Sequence, residues 1–118
     1  MRHHSNKRIF GRKRGQRIAL LRTLAVSLVT RDAIKTTEAK AKELRPFIEK
    51  MVTKSRTDGL AARRLLISKL GGNNNRAVRK LMSEIGPKYK TRAGGYTRII
   101  KLGSSSKGGA PMARIEFV

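Results

Sequence analysis

Apolar residues recur at helical spacing from Gln16 to Arg31. Leu21, Leu24, Ala25 and Leu28 form one stripe, and Ala19, Leu20 and Val29 widen it, while Arg17, Arg22 and Arg31 fall outside it or on its edges. The pattern predicts a first helix that Asp32 ends as a turn residue. Ala33 to Thr37 then predicts a short strand, because Ile34, Thr36 and Thr37 favour an extended backbone. Thr37 or Glu38 caps a second helix reaching about Arg56, with Leu44, Ile48, Met51 and Val52 as its buried stripe and Ala41 and Phe47 beside it. Lys40, Lys42, Arg45, Lys50 and Lys54 stand around that stripe. Pro46 lies inside the run, removes one backbone donor, and predicts a kink or a break.

Thr57-Asp58-Gly59 reads as a turn and a cap. Leu60 to Leu70 is a third predicted helix, with Ala62, Leu65, Leu66 and Leu70 facing inward and Ile67 a further candidate for that face. Gly71-Gly72-Asn73-Asn74-Asn75 stops it, because glycine and asparagine tolerate left-handed conformations. A fourth helix is predicted from about Asn75 to Ile85 on the stripe Val78, Leu81, Met82 and Ile85, ended by Gly86-Pro87. Lys88 to Arg92 is a basic connection that carries Tyr89. Tyr96 to Leu102 reads as a strand, Gly103 to Gly109 as a mobile loop, and Ala110 to Val118 as the last strand. Ala113, Ile115 and Phe117 share one face of that strand, Arg114 and Glu116 the other. The last two strands pair as a hairpin. The sum is a two-layer α+β fold, about four helices packed on a small mixed sheet of about three strands. Residues 1–15 read as a basic N-terminal arm and residues 16–118 as a single domain.

Charge changes this picture. Lys and Arg total 29 against 7 Asp and Glu, for a net charge of +22 in 118 residues. Self-repulsion of that size calls for a partner dense in negative charge. Nucleic acid supplies it, because each neutralised phosphate releases condensed counterions. An anionic membrane is the rival, but the basic residues are spread around a patterned core, and the longest apolar run, Ile18 to Val29, is short and interrupted by Arg22. Residues 1 to 31 hold no acid, as in a transit peptide, yet the periodic helix follows the arm without a linker. The absence of cysteine excludes disulfides, thiolate zinc ligands and thiol catalysis.

Two stretches gather the candidate contacts. The arm carries Arg2, His3, His4, Lys7, Arg8, Arg12, Lys13 and Arg14, followed by Arg17 and, on the first helix, Arg22. It holds too little apolar surface to order by itself and reads as a segment that orders on RNA; the plain alternative is a solubilising tail. The second stretch is Arg92-Ala-Gly-Gly-Tyr-Thr-Arg98. Gly94 and Gly95 can take positive φ or let another backbone come close, so Arg92 and Arg98 beside them suit phosphate contact. Tyr89 and Tyr96 either stack on unpaired bases or belong to the core. Lys35, Lys88 and Lys90 complete the candidate RNA-binding set.

Catalysis has little to work with. His3 and His4 have no carboxylate or cysteine beside them, so neither a metal nor any other cofactor is expected. Ser104, Ser105 and Ser106 have no base nearby in sequence. The turn at Gly94 lacks the Gly-Lys-Ser/Thr ending of a nucleotide-binding loop. Residues 60–85, two helices joined by a Gly-Asn turn with Arg76, Arg79 and Lys80 opening the second, keep a helix-turn-helix DNA reader open as the alternative.

Several pieces together resemble the bacterial large-subunit ribosomal protein L-seventeen family. They are Met1-Arg2-His3, Ile34-Lys35-Thr36-Thr37, Ala39-Lys40-Ala41-Lys42-Glu43-Leu44-Arg45, Ala62-Arg63-Arg64-Leu65, Gly86-Pro87-Lys88-Tyr89, Arg92-Ala-Gly-Gly-Tyr-Thr-Arg98 and Gly109-Ala-Pro-Met-Ala113. They follow in order across nearly the whole chain, and Gly-Gly-Tyr-Thr-Arg is the most specific. The resemblance implies a non-enzymatic, cytoplasmic structural constituent of the large ribosomal subunit, bound to its major rRNA near the peptide exit region. It also implies neighbouring large-subunit proteins as partners, the small zinc-ribbon protein number thirty-two among them. The arm departs from the family's Asn-Arg-x-Ser-Ser-His-Arg-like run, with Gly11-Arg-Lys-Arg-Gly-Gln-Arg17 in its place, so the phosphate contacts of its cations are what carries over.

Overall fold

The computed structural model describes residues 14–57, 59–104 and 109–118. In chain order the elements are α1 (Arg14–Arg31), β1 (Ala33–Thr37), α2 (Glu38–Ser55), α3 (Leu60–Leu70), α4 (Asn75–Lys80), a π-helical turn (Leu81–Ile85), α5 (Gly86–Lys88), β2 (Thr97–Ser104) and β3 (Pro111–Phe117). Helices lie against a three-stranded sheet of order β1-β3-β2, so the two-layer α+β expectation holds. Both pairings are antiparallel, where a mixed sheet was expected. The last strand to be made is the central one: Ile115 sits opposite Ile34 on one side and Ile99 on the other. Alternation along β3 buries Ala113 and Ile115 against the helices and leaves Arg114 exposed.

Helix α2 is the centre of the packing. It touches all three strands as well as α1, α3, α5 and the π-helical turn. Its start is fixed by Thr37, whose hydroxyl accepts from the Lys40 N–H at 3.3 Å. Leu44, Ile48, Met51 and Val52 are buried as predicted, each contributing roughly 1.5–3 kcal/mol through the area it removes from water. The helix runs through Pro46 without the expected break. Proline leaves the Lys42 carbonyl without its helical partner, but both residues are on the exposed face, where water can take the bond.

Four other departures have physical causes. Helix α1 begins two residues before the predicted start at Gln16, and ends where Asp32 takes φ 68°, its N–H donating to the Leu28 carbonyl at 2.7 Å. Leu65, predicted inward, is exposed, because Leu66 and Leu70 fill the buried side of α3. Gly86-Pro87 does not end the fourth helix: the π-helical turn passes the chain into α5, and Gly86 is buried against α2. A Cβ on Gly86 would lie 2.3 Å from the Ser55 carbonyl oxygen, so this glycine permits close helix packing rather than a stop. Strand β2 starts one residue later than predicted and extends to Ser104, with an irregularity in register between Lys101 and Gly103. Asp58 and residues 105–108 lie outside the described residues, and with them the expected turn at 58 and most of the expected mobile loop.

Candidate nucleic-acid interface

The Gly-Gly-Tyr turn is built by α2. Glu49 accepts three hydrogen bonds: from the Gly95 N–H at 3.1 Å, the Thr97 N–H at 2.9 Å and the Thr97 hydroxyl at 2.8 Å. One turn along, the Thr53 hydroxyl and the Tyr96 hydroxyl are 3.0 Å apart. One further turn along, the Arg56 guanidinium donates to the Arg92 carbonyl and lies 6.0 Å from the centre of the Tyr96 ring. Residues 49, 53 and 56 share one stripe of a helix. So a regular element with a sealed core side fixes both ends of an irregular loop. Gly95 takes φ 67°, which requires glycine; Gly94 is outside that region, and a Cβ there would meet open space.

Tyr96 belongs to the core, not to a stacking platform. It is fully buried, its hydroxyl donates to the Arg92 carbonyl at 3.3 Å, and its ring packs 5.3 Å from that of Tyr89. Tyr89 is equally enclosed, with its hydroxyl on the Val118 carbonyl. Base stacking on either ring, one of the two readings of the sequence, is corrected: their faces are covered by protein.

The other candidate residues separate into groups. Arg92, Gly94 and Gly95 are exposed at the turn, with Lys88 and Lys90 exposed just before it. The Lys88 ammonium lies 5.2 Å from the Tyr89 ring centre. Arg98 is exposed but ion-paired to Glu116 at 2.6 Å, and Arg114 takes the other oxygen of that carboxylate at 2.6 Å. Lys35 stands exposed on the same open sheet face, opposite Arg114 in register. Arg14, Arg17 and Arg22 line a groove between α1, α2 and α3, together with Lys50, Lys54 and Lys69. Arg22 also donates to the Lys69 carbonyl at 3.0 Å, at the C-terminal end of α3. Arg2, His3, His4, Lys7, Arg8, Arg12 and Lys13 lie outside the described residues.

Four of the acids are committed to the protein's own structure. Asp32 pairs with Lys80 at 3.0 Å and Glu38 with Lys42 at 2.8 Å, while Glu49 holds the turn. Hydrogen bonds from Arg98 and then Arg114 hold the Glu116 carboxyl below its ordinary value, and a hydrogen bond from Lys42 does the same to Glu38. Sequence reasoning missed Glu49, Thr53 and Arg56 as determinants of the site. Their shared stripe was readable, but their partners lie 36 or more positions away. Among the described residues no group of three or more His, Asp or Glu is placed to hold a metal ion, and no helix is long and apolar enough to cross a membrane.

Such a fold and site define a class: a small cationic scaffold that presents basic side chains and one pinned, open turn to a polyanion. Comparison with known sequences makes it specific. A family model described as ribosomal protein L17 matches residues 20–118. The whole chain aligns with the large ribosomal subunit protein bL17 of Gemmatimonas aurantiaca, 53% identical and covering 98% of that protein. It is 49% identical to the protein of that name from Rickettsia bellii and 48% to that from Orientia tsutsugamushi, over its full length and 82% and 80% of theirs. The chain belongs to the ribosomal protein L17 family, and as a member it is a cytoplasmic ribosomal protein and not an enzyme.

Proposed function

We propose that the protein is a structural constituent of the large ribosomal subunit that binds and stabilises its major rRNA. The basic arm, residues 1–15, and the turn at Gly94-Gly95 are its two principal phosphate contacts, and the body, residues 16–118, holds them at fixed separation. One observation carries the reading. The backbone from Arg92 to Thr97 is pinned from behind by Glu49, Thr53 and Arg56, while Arg92, Gly94 and Gly95 face outward. A turn ordered in advance, with nothing filling the space over Gly94, lets an RNA backbone approach without ordering the loop first. Arg92, Lys88 and Lys90 then meet phosphates, and Lys35 and Arg98 add charge on the open sheet face. Position near the peptide exit region, beside the zinc-ribbon protein number thirty-two, rests on the family resemblance of the motifs around Ala39–Arg45 and Arg92–Arg98. Membership in a ribosomal family replaces the DNA-reading alternative for residues 60–85; Lys80 of that segment is tied to Asp32 and to the Thr30 carbonyl.

Gradient fractionation of a lysate tests the assignment: the chain is expected with large subunits and is expected to stay there in moderate salt. Deleting residues 1–13, which carry five Lys and Arg, is expected to leave a folded body that binds rRNA more weakly. Its log-affinity against log-salt slope should flatten by roughly 0.7–0.9 for each phosphate that the arm no longer neutralises. An unchanged slope overturns the role of the arm.

A further inference from the structure

The groove between α1, α2 and α3 has a volume of about 770 Å³, within the range of clefts that enclose a ligand. Six cations rim it, Arg14, Arg17, Arg22, Lys50, Lys54 and Lys69, against the one carboxylate of Glu43. The ion pairs of Asp32, Glu38 and Glu116 engage none of these six. Its floor is apolar, with Ile18 and Leu21 from α1, Pro46 and Phe47 from α2, and Leu65 from α3. Leu65 is 38% exposed and Pro46 is exposed, so the floor is open to an occupant.

That occupant must be anionic at its edge and flat and weakly polar at its centre. An RNA duplex meets only half of this, because its bases face inward and its phosphates would reach the rim alone. An unstacked nucleotide meets both, with a base to cover the floor and flanking phosphates for the rim. The position of the groove supports RNA over an acidic protein segment. Helix α2 carries Glu49 and Thr53, with Arg56 at its C-terminal cap, toward the pinned turn, and Pro46, Phe47, Lys50 and Lys54 toward the groove, roughly a quarter-turn around the same helix. One RNA can therefore span both.

We propose that an unpaired, extruded nucleotide of the rRNA lodges in this groove, its base against Phe47, Pro46 and Leu65 and its phosphates on the cationic rim. The proposal rests on the rRNA-binding reading above and adds to it a single-stranded element and an apolar contact. The test places a photo-crosslinking residue at the exposed floor position, Leu65→p-benzoylphenylalanine, in the full chain within intact large subunits. Leu60→p-benzoylphenylalanine, at an exposed position outside the groove, is the control. The expected result is a crosslink from position 65, absent from position 60, to an unpaired rRNA nucleotide. That nucleotide should also become about fivefold more reactive to a base-modifying reagent in subunits carrying Leu65→Asp. A crosslink to a neighbouring protein, to this chain itself or to a paired nucleotide overturns the proposal, as does none at all. Absence of the wild-type chain from large subunits is a separate result, and it overturns the rRNA reading itself.

Discussion

Removing the Glu49 side chain separates a positioned turn from mere surplus charge. Two of its three hydrogen bonds come from Thr97, which is 2% exposed, and one from Gly95, which is exposed. Water replaces the carboxylate at Gly95 but not at Thr97. A buried donor left without an acceptor costs about 1–3 kcal/mol, and Glu49→Ala leaves two, of which the hydroxyl can rotate toward another acceptor. The expected loss of stability is about 3 kcal/mol, or about 10 °C in Tm for a domain of this size. Thermal and urea unfolding of the purified chain measure it. Filter binding to rRNA across a salt series supplies the functional readout. Glu49→Ala makes the protein more positive, so attraction by charge alone predicts tighter binding. A pinned turn predicts weaker binding with an unaltered salt slope, because no cation has been removed. A Tm within about 2 °C of wild type, or a rise in affinity, would refute the reasoning.

Three glycines should respond differently to alanine in the same unfolding assays. Gly86→Ala drives a Cβ into the Ser55 carbonyl and should cost about 3 kcal/mol; Gly95→Ala, at φ 67°, about 1–2 kcal/mol; and Gly94→Ala, facing open space, under about 0.5 kcal/mol, and a reversed order between Gly86 and Gly94 would contradict the geometry. Acid should weaken the open face of the sheet. The Glu116 carboxyl is held below its ordinary value by Arg98 and Arg114, so its contribution is complete above the unfolded-state value and is lost as pH falls through the lowered folded-state value. The stability difference between wild type and Glu116→Gln should therefore be flat near neutrality and shrink toward about pH 3, and a difference independent of pH would show that the pair contributes nothing.

Much of the architecture was legible along the chain. The limits of β1 and α3 follow from β-branched residues bounded by Asp32 and Thr37, and from a leucine-rich run bounded by Gly59 and Gly71. Period-two alternation along β3 placed Ala113 and Ile115 on the buried face. The misreadings have one character. Gly86-Pro87 looks like a helix end to any local rule, and only the Ser55 carbonyl against it shows that glycine is there for contact. Tyr96 is as plausible on RNA as in a core until Tyr89, Thr53 and Arg56 are seen around it.

The sequence by itself determined the class of partner and the list of elements. A charge of +22 cannot be neutralised from within, and apolar periodicity is a local property that each helix and strand carries with it. Tertiary structure alone decided which side chains shape the interface. Glu49 meets Gly95 and Thr97 across 46 and 48 positions, and the groove draws Arg17, Lys50 and Lys69 from three helices. Such contacts depend on how packed surfaces fit in space, and no spacing along the chain encodes that.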